Sequence, residues 1–505
     1  MDHRDPETYS FDGYLDALGD DWYLDDPLLA RWLDRASLDE EATALVRGFG
    51  RRAATTHRLA AEVVERAENL PRFWTRGPYN QTVNEVVVPA ETRQMLGDVH
   101  GSGIWAEGLD ERARYASIYL LDQNGEFGVT CSTACTDGMV RALRTLGDDD
   151  RSRSVLQQID SATPESFIHG AQFVTEIQGG SDAATNQVRA EPVADGLYAL
   201  SGRKWFCSNL TAEYWMTTAR LEDGPADHRG VGLFCVPRRW HGGPNGYVVE
   251  RLKDKLGTRA LPTAEILLTG ARGWPVGALD SGLKNMVAIV LTTSRIHNIV
   301  ASGASARRAA REAHAYASFR QAFGRPLAEH PLISASLSCI AADADRMEAG
   351  AFGAVDAWVA AMESPADRRG TLWARVLISI SKAVQTRAIC GQIYEAMMVF
   401  GGNGIEERFC ALPRLWRDGA ILETWEGPYT LLLMQALGDL EKYGAGEDVE
   451  GFLRHGLGDH TQEDHVKSLT AILESPQETE SVLAWGELAP RMVRAFQDKS
   501  LAELS

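Results

Sequence analysis

The stretch GLYALSGRKWFCSN (residues 196–209) decides the fold, because it has the composition of a β-strand in a chain whose two ends look helical. The stretches EYWMTTARL (213–221) and GVGLFCVPRR (230–239) that follow it have a similar composition. Short segments rich in β-branched and aromatic residues, separated by Gly, Pro and Asp, are typical of a small barrel or sandwich. A central β domain is therefore predicted over residues 169–278.

The segments on either side of this region have the periodicity of helices. Residues 37–71 form the clearest N-terminal example, and Ser37 followed by Glu40 gives a capping-box pattern at its start. Beyond the β domain, long amphipathic segments joined by short connections indicate a helical bundle. Zones of helix, strand and helix therefore follow one another along the chain.

These zones define the predicted fold class, an α+β multidomain protein. Its predicted parts are an N-terminal extension with a helical domain over 1–168, a central small β-barrel or sandwich over 169–278, a C-terminal four-helix bundle over 279–443, and an acidic helical tail over 444–505.

Composition limits the classes of partner. The 505 residues are 44% hydrophobic and carry a formal net charge of −19, which is ordinary for a globular chain with ample core. Such a charge repels phosphate backbones and anionic membranes, so we expect no nucleic-acid partner.

Localisation is expected to be cytoplasmic. The first ten residues, MDHRDPETYS, have no apolar signal core, and no stretch approaches about 18 uninterrupted apolar residues, the length of a membrane span. Seven cysteines in a chain of this length fit a reducing compartment better than a disulfide framework.

Several common chemistries have no motif in the sequence. No phosphate-binding P-loop, GxGxxG turn, HExxH, CxxC or GxSxG motif occurs. No metal site is predicted.

The β domain contains candidate ligand-binding residues, each of which is a weak signal by itself. In FVTEIQGGSDAAT (173–185), Thr175 and Ser181 bracket a turn whose glycines allow close approach of the backbone to a ligand. Adjacent Trp205 and Phe206 are expected on opposite faces of a strand, one in the core and one at a cleft.

Three further signals lie in the bundle. Arg320, in FRQAFGRPLAEH (319–330), has the side chain best suited to a pyrophosphate, although it could equally satisfy the carbonyls of a helix end. The glycines of VFGGNGIEE (399–407) follow an apolar helix as a C-cap or as a close approach to a ligand. In ETWEGPYTLL (423–432), Glu426 stands between a large aromatic residue and a glycine.

The order of these motifs resembles that of the acyl-CoA dehydrogenase flavoprotein family. TEIQGGSD, KWFCSN, RLKDKLGTR, R-x-x-F-G, GGNG and WEG follow one another over about residues 90–440. TEIQGGSDAATNQVRA, GRKWF, RLKDKLG and WEG look most like the branch that contains the flavoprotein AidB.

The resemblance implies FAD as the cofactor, bound between the β domain and the bundle, in a homodimer or homotetramer. It implies contacts with the flavin and its diphosphate from one group of residues and contacts with a neighbouring subunit's FAD from another. The first group is Thr175, Ser181, Phe206 and Ser208, and the second is Arg320, Phe323, Gly401 and Gly402.

The resemblance also implies the catalytic base. Glu426 matches the glutamate of the family's Y-E-G-T pattern, whereas the alternative position, before Arg295, holds Ser294, which cannot act as that base. Trp425 and Pro428 replace the family's usual Tyr and Thr. Substrate contacts are expected from Arg295, Ser181, Trp425 and Gly427.

The implied reaction is α,β-dehydrogenation of an acyl-CoA or an acyl group on a carrier protein. Glu426 removes the α-proton, and flavin N5 accepts the β-hydride. Displacement of water is expected to raise the pKa of Glu426 above about 4.3, its usual value. The expected electron acceptor is an electron-transfer flavoprotein, with oxygen as the alternative.

Three other functions remain open at this point. One is an AidB-like flavoprotein with weak dehydrogenase activity and a stress or nucleic-acid role, which the 13 acidic and 6 basic residues of the tail (441–505) do not favour. Another is a flavin oxidase or monooxygenase on the same fold. The last is a helical scaffold without catalysis, which would purify without flavin.

Overall fold

The computed structural model describes residues 9–505. Residues 1–8 lie outside the described residues. They make up most of the ten-residue segment in which no signal core was found. The chain divides into two compact units: unit 1 comprises the residues up to Leu59, Asp110–Gly125 and Asn298–Ser505, and unit 2 comprises Ala60–Leu109 and Glu126–His297. The four-part division expected from the sequence stays a prediction.

Helices dominate both ends of the chain. In chain order, the α-helices are α1 Asp12–Ala17, α2 Pro27–Ala36, α3 Glu40–Arg52, α4 Arg58–Val64, α5 Ala90–His100, α6 Glu111–Asp122, α7 Phe127–Leu146, α8 Asp150–Asp160, α9 Gly282–Asn285, α10 Thr292–Phe319, α11 Pro331–Glu363, α12 Arg368–Phe400, α13 Leu412–Thr424, α14 Tyr429–Lys442, α15 Val449–Leu457, α16 Glu463–Glu474 and α17 Thr479–Leu504.

Strands concentrate in the middle of the chain. In chain order, they are β1 Arg72–Arg76, β2 Thr82–Val87, β3 Gly170–Phe173, β4 Arg189–Pro192, β5 Tyr198–Ser208, β6 Tyr214–Leu221, β7 Val231–Pro237, β8 Arg239–Trp240, β9 Gly243–Pro244, β10 Tyr247–Leu252, β11 Thr263–Pro275, β12 Gln321–Ala322 and β13 Arg325–Pro326.

The main sheet of unit 2 has seven strands and closes on itself. Strand β5 pairs with β4 and β11, β4 pairs with β6, and β7 pairs with both β6 and β11, so five strands form a small barrel. Phe173, Leu200, Trp215, Phe234 and Ile266 belong to its buried core. Apolar side chains on one face of each strand supply this core because successive residues point to opposite faces. The central β-rich region of the predicted fold class is confirmed.

Long helices form the bundle of unit 1. Helices α11 and α12 have 33 residues each, and α12 packs against α11, α13 and α14. The acidic tail belongs to this bundle, since Trp485 Nε1 of α17 donates to the Leu433 carbonyl of α14 at 2.7 Å. The predicted helical N-terminus and C-terminal helical bundle are both confirmed.

Two local expectations are wrong. Helix α3 is capped by Asp39, whose carboxylate accepts from Ala42 N at 2.8 Å, and Ser37 instead ends α2 with a left-handed φ of 53°. Either residue type can cap a helix, so the pattern alone could not choose. The zone expected to be helical also contains the antiparallel hairpin of β1 and β2, whose segments are rich in β-branched and aromatic residues.

Within residues 9–505, we find no helix that combines the length and the apolar character needed to cross a membrane.

Candidate functional site

A loop and a strand of unit 2 bring three predicted site residues together. Thr175 follows β3, and its carbonyl accepts a hydrogen bond from Trp205 N of β5 at 2.9 Å. Phe206 and Ser208 follow Trp205 on β5, one on either side of Cys207. We call Thr175, Phe206 and Ser208 the strand-edge cluster. Ser181, six residues after Thr175, is exposed in the same loop.

A β-bulge corrects the expectation for the two adjacent aromatic residues. Lys204 pairs with Ile266 and Cys207 pairs with Ala264, so β5 carries one more residue than β11 across this step. Lys204 and Cys207 are both buried, whereas Trp205 and Phe206, between them, both lie against Lys253, whose Nζ is 3.8 Å and 4.3 Å from their ring centroids. Because the extra residue breaks the alternation, both rings are on one side, and Phe206 is 50% exposed.

A short chain of hydrogen bonds holds Ser208. Its hydroxyl lies 3.0 Å from the hydroxyl of Thr263, which in turn accepts from Lys255 Nζ at 2.9 Å. Lys255 also donates to the Leu261 carbonyl at 2.9 Å. The RLKDKLG motif thus reaches the strand-edge cluster directly through Lys253, over the Phe206 ring, and through Lys255 by way of Thr263, a role that the sequence did not reveal.

A buried ion pair lies beneath the strand-edge cluster. Lys204 Nζ is 2.9 Å from Glu176 Oε1, and both side chains are almost completely buried. Burial works to raise the pKa of Glu176, but the charge of Lys204 and hydrogen bonds from Gln187 and Gln178 outweigh it, so the pKa lies below its usual value. Sequence reasoning missed this pair, although Glu176 and Lys204 directly adjoin the predicted residues Thr175 and Trp205.

Arg295 lies in α10 and is buried. Its neighbour Ser294, which fills the alternative base position, is also buried and accepts from Gln172 Nε2 of β3 at 3.2 Å. This contact is made within unit 2.

The predicted base lies in the turn between α13 and α14 of unit 1. We call Trp425, Glu426 and Gly427 the WEG turn; all three are half-buried. Glu426 has a φ of 55° and Gly427 a φ of 107°, so a non-glycine residue takes the left-handed conformation directly before a glycine that does so too. This conformation is sparsely populated for residues other than glycine, so the surrounding structure must hold Glu426 in it.

A buried lysine that sequence reasoning missed contacts the backbone around the WEG turn. Lys382 of α12 is 0% exposed, and its Nζ donates to the carbonyls of Glu423 at 2.9 Å and Gly427 at 2.8 Å. The available signal was a single lysine inside the otherwise apolar and small stretch LISISKAV (377–384).

Arg320 and Phe323 lie at a small hairpin after α10. Phe323 and Gly324 have φ values of 53° and 84° and form the two-residue turn between β12 and β13, which leaves the Phe323 ring 98% exposed. Arg320 Nη1 donates to the hydroxyl of Tyr9 at 2.8 Å. The N-terminal extension, to which no role was assigned, therefore contacts a predicted cofactor residue.

Gly401 and Gly402 end helix α12. Gly401 has a φ of 61°, and a Cβ at either position would meet no other atom within 4 Å. The two glycines therefore present accessible backbone rather than a packed core position. The neighbouring Asn403 donates to the hydroxyl of Tyr316 at 3.0 Å.

Two family models match the chain. "Acyl-CoA dehydrogenase, middle domain" matches residues 171–271, and "Acyl-CoA dehydrogenase, C-terminal domain" matches residues 280–437. Together they cover most of the barrel and every predicted site residue.

The chain belongs to the acyl-CoA dehydrogenase family. This assignment confirms the resemblance on which the site predictions rest. The ligand contacts of the individual residues stay predictions.

Curated members of the acyl-CoA dehydrogenase family include close relatives of the chain. It is 28% identical over 440 residues to acyl-CoA dehydrogenase family member 11 of Caenorhabditis elegans, a match that covers 82% of this chain and 70% of that protein. It is 33% identical over 308 residues to the putative acyl-CoA dehydrogenase AidB of Escherichia coli, which covers 60% of this chain and 55% of AidB. A relationship to AidB agrees with the branch indicated by the motifs.

Solved structures of similar fold extend over nearly the whole chain. The apo form of Bd2924 superposes with a TM-score of 0.87 and 27% identity and covers 95% of this chain and 97% of that one. The complex of Caenorhabditis elegans ACDH-11 with C11-CoA superposes with a TM-score of 0.82 and 25% identity. The match covers 95% of this chain and 86% of that one. As an acyl-CoA dehydrogenase family member, the chain therefore shares its helical tail as well as its barrel and bundle with known folds.

Proposed function

We propose that this protein is an FAD-dependent oxidoreductase that removes the α- and β-hydrogens of an acyl thioester, with Glu426 as the base. The observation that carries the proposal is Glu426 itself. In a chain of the acyl-CoA dehydrogenase family, it occupies a half-buried turn in a left-handed conformation that folding alone disfavours.

The strand-edge cluster fits the flavin part of FAD. Phe206 offers a half-exposed aromatic ring, Ser208 offers a hydroxyl on the same strand, and Thr175 offers another beside Trp205, to whose N–H its carbonyl is bound. A Cβ at Gly180 would lie 2.6 Å from Thr175 Oγ1, so only glycine allows the loop to fold back this closely. Bound FAD would supply the two-electron oxidant that takes the β-hydrogen as hydride.

A second set of residues fits the polar remainder of FAD. We assign the diphosphate of a neighbouring subunit's cofactor to Arg320 and the adjoining contacts to Phe323, Gly401 and Gly402. The full exposure of Phe323 and the open backbone at both glycines support this assignment, because each can be reached by a partner copy. The proposed assembly is a homodimer or homotetramer, which sedimentation of the flavin-loaded protein would test.

The proposed substrate is an acyl-CoA. The C11-CoA complex of ACDH-11 supports a CoA ester rather than an acyl-carrier protein, because its fold matches 95% of this chain. We assign substrate contacts to Arg295, Ser181, Trp425 and Gly427. Trp425 and the neighbouring Pro428 replace the family's usual Tyr and Thr, so the acyl preference need not follow that of other members.

Glu426 is the group that acts on the substrate in this proposal. Its carboxylate removes the α-proton as the β-hydrogen leaves, and the enoyl thioester is released. Hydrogen bonds to the thioester carbonyl make that proton removable by stabilising the developing enolate charge. Glu426 ends the reaction protonated and loses its proton to solvent before the next turnover.

An anaerobic titration with a panel of acyl-CoA esters tests the proposal. Loss of the flavin absorbance at about 450 nm is expected for at least one ester. Glu426→Gln should retain FAD and slow this loss by on the order of 10³-fold, because general-base catalysis is removed. Glu423→Gln is the matched control, since this carboxylate lies in the same segment but is ion-paired with Arg387 at 2.8 Å.

A fully active Glu426→Gln variant would contradict the proposed base. Bound flavin that no acyl-CoA reduces would contradict the proposed substrate and favour a carrier-protein ester. Reoxidation of the reduced protein by an electron-transfer flavoprotein, and only slowly by oxygen, is the expected behaviour. Rapid oxidation by oxygen would instead indicate an oxidase on the same fold.

A further inference from the structure

Lys382 holds the backbone on both sides of the predicted base. Its Nζ donates to the Glu423 carbonyl, three residues before Glu426, and to the Gly427 carbonyl, one residue after it. The two acceptors belong to different parts of the chain path, because Glu423 lies in the last turn of α13 and Gly427 in the link to α14. A single ammonium group therefore joins the two ends of the turn that contains Glu426.

Both acceptors are carbonyls that need an outside partner. The last four carbonyls of an α-helix have no partner within the helix, and Glu423 is the penultimate residue of α13. Gly427 lies outside both helices, with a φ of 107°. Lys382 satisfies both oxygens with donors from a third helix, α12.

The burial of Lys382 shows that a specific arrangement is being maintained. An ammonium group that loses its water is strongly destabilised unless hydrogen bonds replace that water. Lys382 is 0% exposed, on a helix whose neighbouring residues Ile378, Ile380 and Ala383 are apolar and buried. An apolar residue would avoid this desolvation, and the two carbonyls that Lys382 binds are hydrogen-bond partners that replace its lost water.

The conformation of Glu426 requires such an arrangement. A non-glycine residue at a φ of 55° is in a sparsely populated region, and it stays there only when its surroundings fix the backbone. Leucine side chains of α14 also limit the turn, since a Cβ at Gly427 would lie 3.2 Å from Leu432 and 3.3 Å from Leu431. Packing on one side and Lys382 on the other leave the turn little freedom.

We propose that Lys382 is a positioning residue for catalysis: by binding the carbonyls of Glu423 and Gly427, it fixes the direction in which the Glu426 carboxylate points. The role in catalysis rests on the proposed function of Glu426. The clamp on the turn does not, because it follows from the contacts alone.

Arg387 provides a matched control on the same helix. Its guanidinium binds the Glu423 carboxylate at 2.8 Å and lies 3.6 Å from the centroid of the Tyr429 ring, so it also reaches both sides of the WEG turn. It contacts side chains rather than the backbone, and it is half-exposed. Replacing it removes a cation from the same region without releasing the two carbonyls.

The experiment compares Lys382→Met and Arg387→Met in the flavin-loaded protein by hydrogen-exchange mass spectrometry and by the rate of flavin reduction. In Lys382→Met, the amides of residues 424–427 should exchange up to about 10-fold faster per hydrogen bond lost. Flavin reduction should slow on the order of 10²-fold, because a small misplacement of a reacting group has that effect. FAD content should stay close to wild type, and substrate affinity should change less than the rate of flavin reduction. Arg387→Met should change either rate by less than about fivefold, as expected for a half-exposed ion pair.

Lys382→Arg is the rescue variant, since it keeps a cation with several donors. Partial recovery of both exchange protection and reduction rate is expected, because Arg forms directed hydrogen bonds but has a longer and flatter head group.

Two results would overturn the inference. Unchanged exchange at 424–427 in a folded Lys382→Met variant would contradict the clamp, and faster exchange with unchanged flavin reduction would contradict its role in catalysis. If Lys382→Met does not fold, wild-type exchange decides: a turn that exchanges as fast as an unstructured peptide is not clamped. An active Glu426→Gln variant would contradict the proposed function but would not change the exchange result for Lys382→Met. A failure of the proposed function can therefore be told apart from a failure of the clamp.

Discussion

The strand-edge cluster of unit 2 and the WEG turn of unit 1 are each held by a buried lysine, and the two lysines bind different partners. Lys204 lies 2.9 Å from a carboxylate oxygen of Glu176 and also donates to the Val174 carbonyl at 3.2 Å, whereas Lys382 donates to the backbone carbonyls of Gly427 at 2.8 Å and Glu423 at 2.9 Å. A lysine paired with a carboxylate fixes a sheet through charge, and a lysine bound to carbonyls fixes the path of the backbone. The same residue type therefore serves two kinds of positioning.

The largest effect is expected from Lys204→Met. The substitution leaves the Glu176 carboxylate buried without its cation, which should lower the free energy of opening of strand β5 by about 3–5 kcal/mol. Native-state hydrogen exchange of the β5 amides measures this free energy. Adding Glu176→Gln should restore much of the loss, because the orphaned charge is then gone.

Arg203→Met is the control for this prediction. Arg203 is the neighbour of Lys204 on β5, but its ion pair with Glu250 is exposed, so its removal should cost less than about 1 kcal/mol. Equal losses for the two variants would show that burial of the pair is not what matters.

A smaller loss is expected from Lys382→Met in the opening of α13 and α14. Two hydrogen bonds to carbonyls of half-buried residues are lost, at about 0.5–1.5 kcal/mol each or about 1–3 kcal/mol together, and no carboxylate is orphaned at these two contacts. Hydrogen exchange of the two helices measures the free energy. A loss as large as that of Lys204→Met would break the distinction between a carboxylate partner and carbonyl partners.

The pH dependence of the strand edge sharpens the same comparison. Because the folded-state pKa of Glu176 lies below its usual value of 4.5, its contribution to stability is fully present above about that pH and is lost as the pH falls through the folded pKa. The free energy of opening of β5 should then fall by up to about 1.4 kcal/mol per pH unit. In Glu176→Gln, this part of the slope should disappear; an unchanged slope would assign the acid sensitivity to other groups.

The smallest effect is expected from Lys253→Met. Its ammonium lies over the rings of Trp205 and Phe206 at the bulge and 2.7 Å from Glu265 Oε1, but Arg251 stays 2.6 Å from that oxygen, so the Glu265 carboxylate keeps a cation. The lost cation–π contact then contributes about 0.5–1 kcal/mol. The same exchange measurement on β5 should detect this loss, with FAD affinity reduced no more than about tenfold. A loss comparable to that of Lys204→Met would mean that the bulge, not the buried pair, anchors the strand edge.

Tertiary context decided the features that the sequence could not. Alternation along a strand predicted opposite faces for Trp205 and Phe206, but the pairing of β5 with β11 adds a residue and turns both rings to one side. Pairing partners are far apart in sequence, so no local pattern contains this information. In the same way, Ser37 and Asp39 were equally suitable caps until the path of α2 was known.

The sequence by itself determined the order of helices, barrel and bundle, and the motifs that place the chain in its family, because periodicity and glycine-rich turns are local properties of the chain. It also singled out Glu426 by its neighbours. The tertiary structure alone decided what holds that residue: Lys382 is 44 residues away in the sequence, and only the packing of α12 beside α13 and α14 brings its ammonium to the two carbonyls. Hydrogen bonds from a buried side chain to a distant backbone leave no pattern in the sequence, since any residue can supply the acceptor.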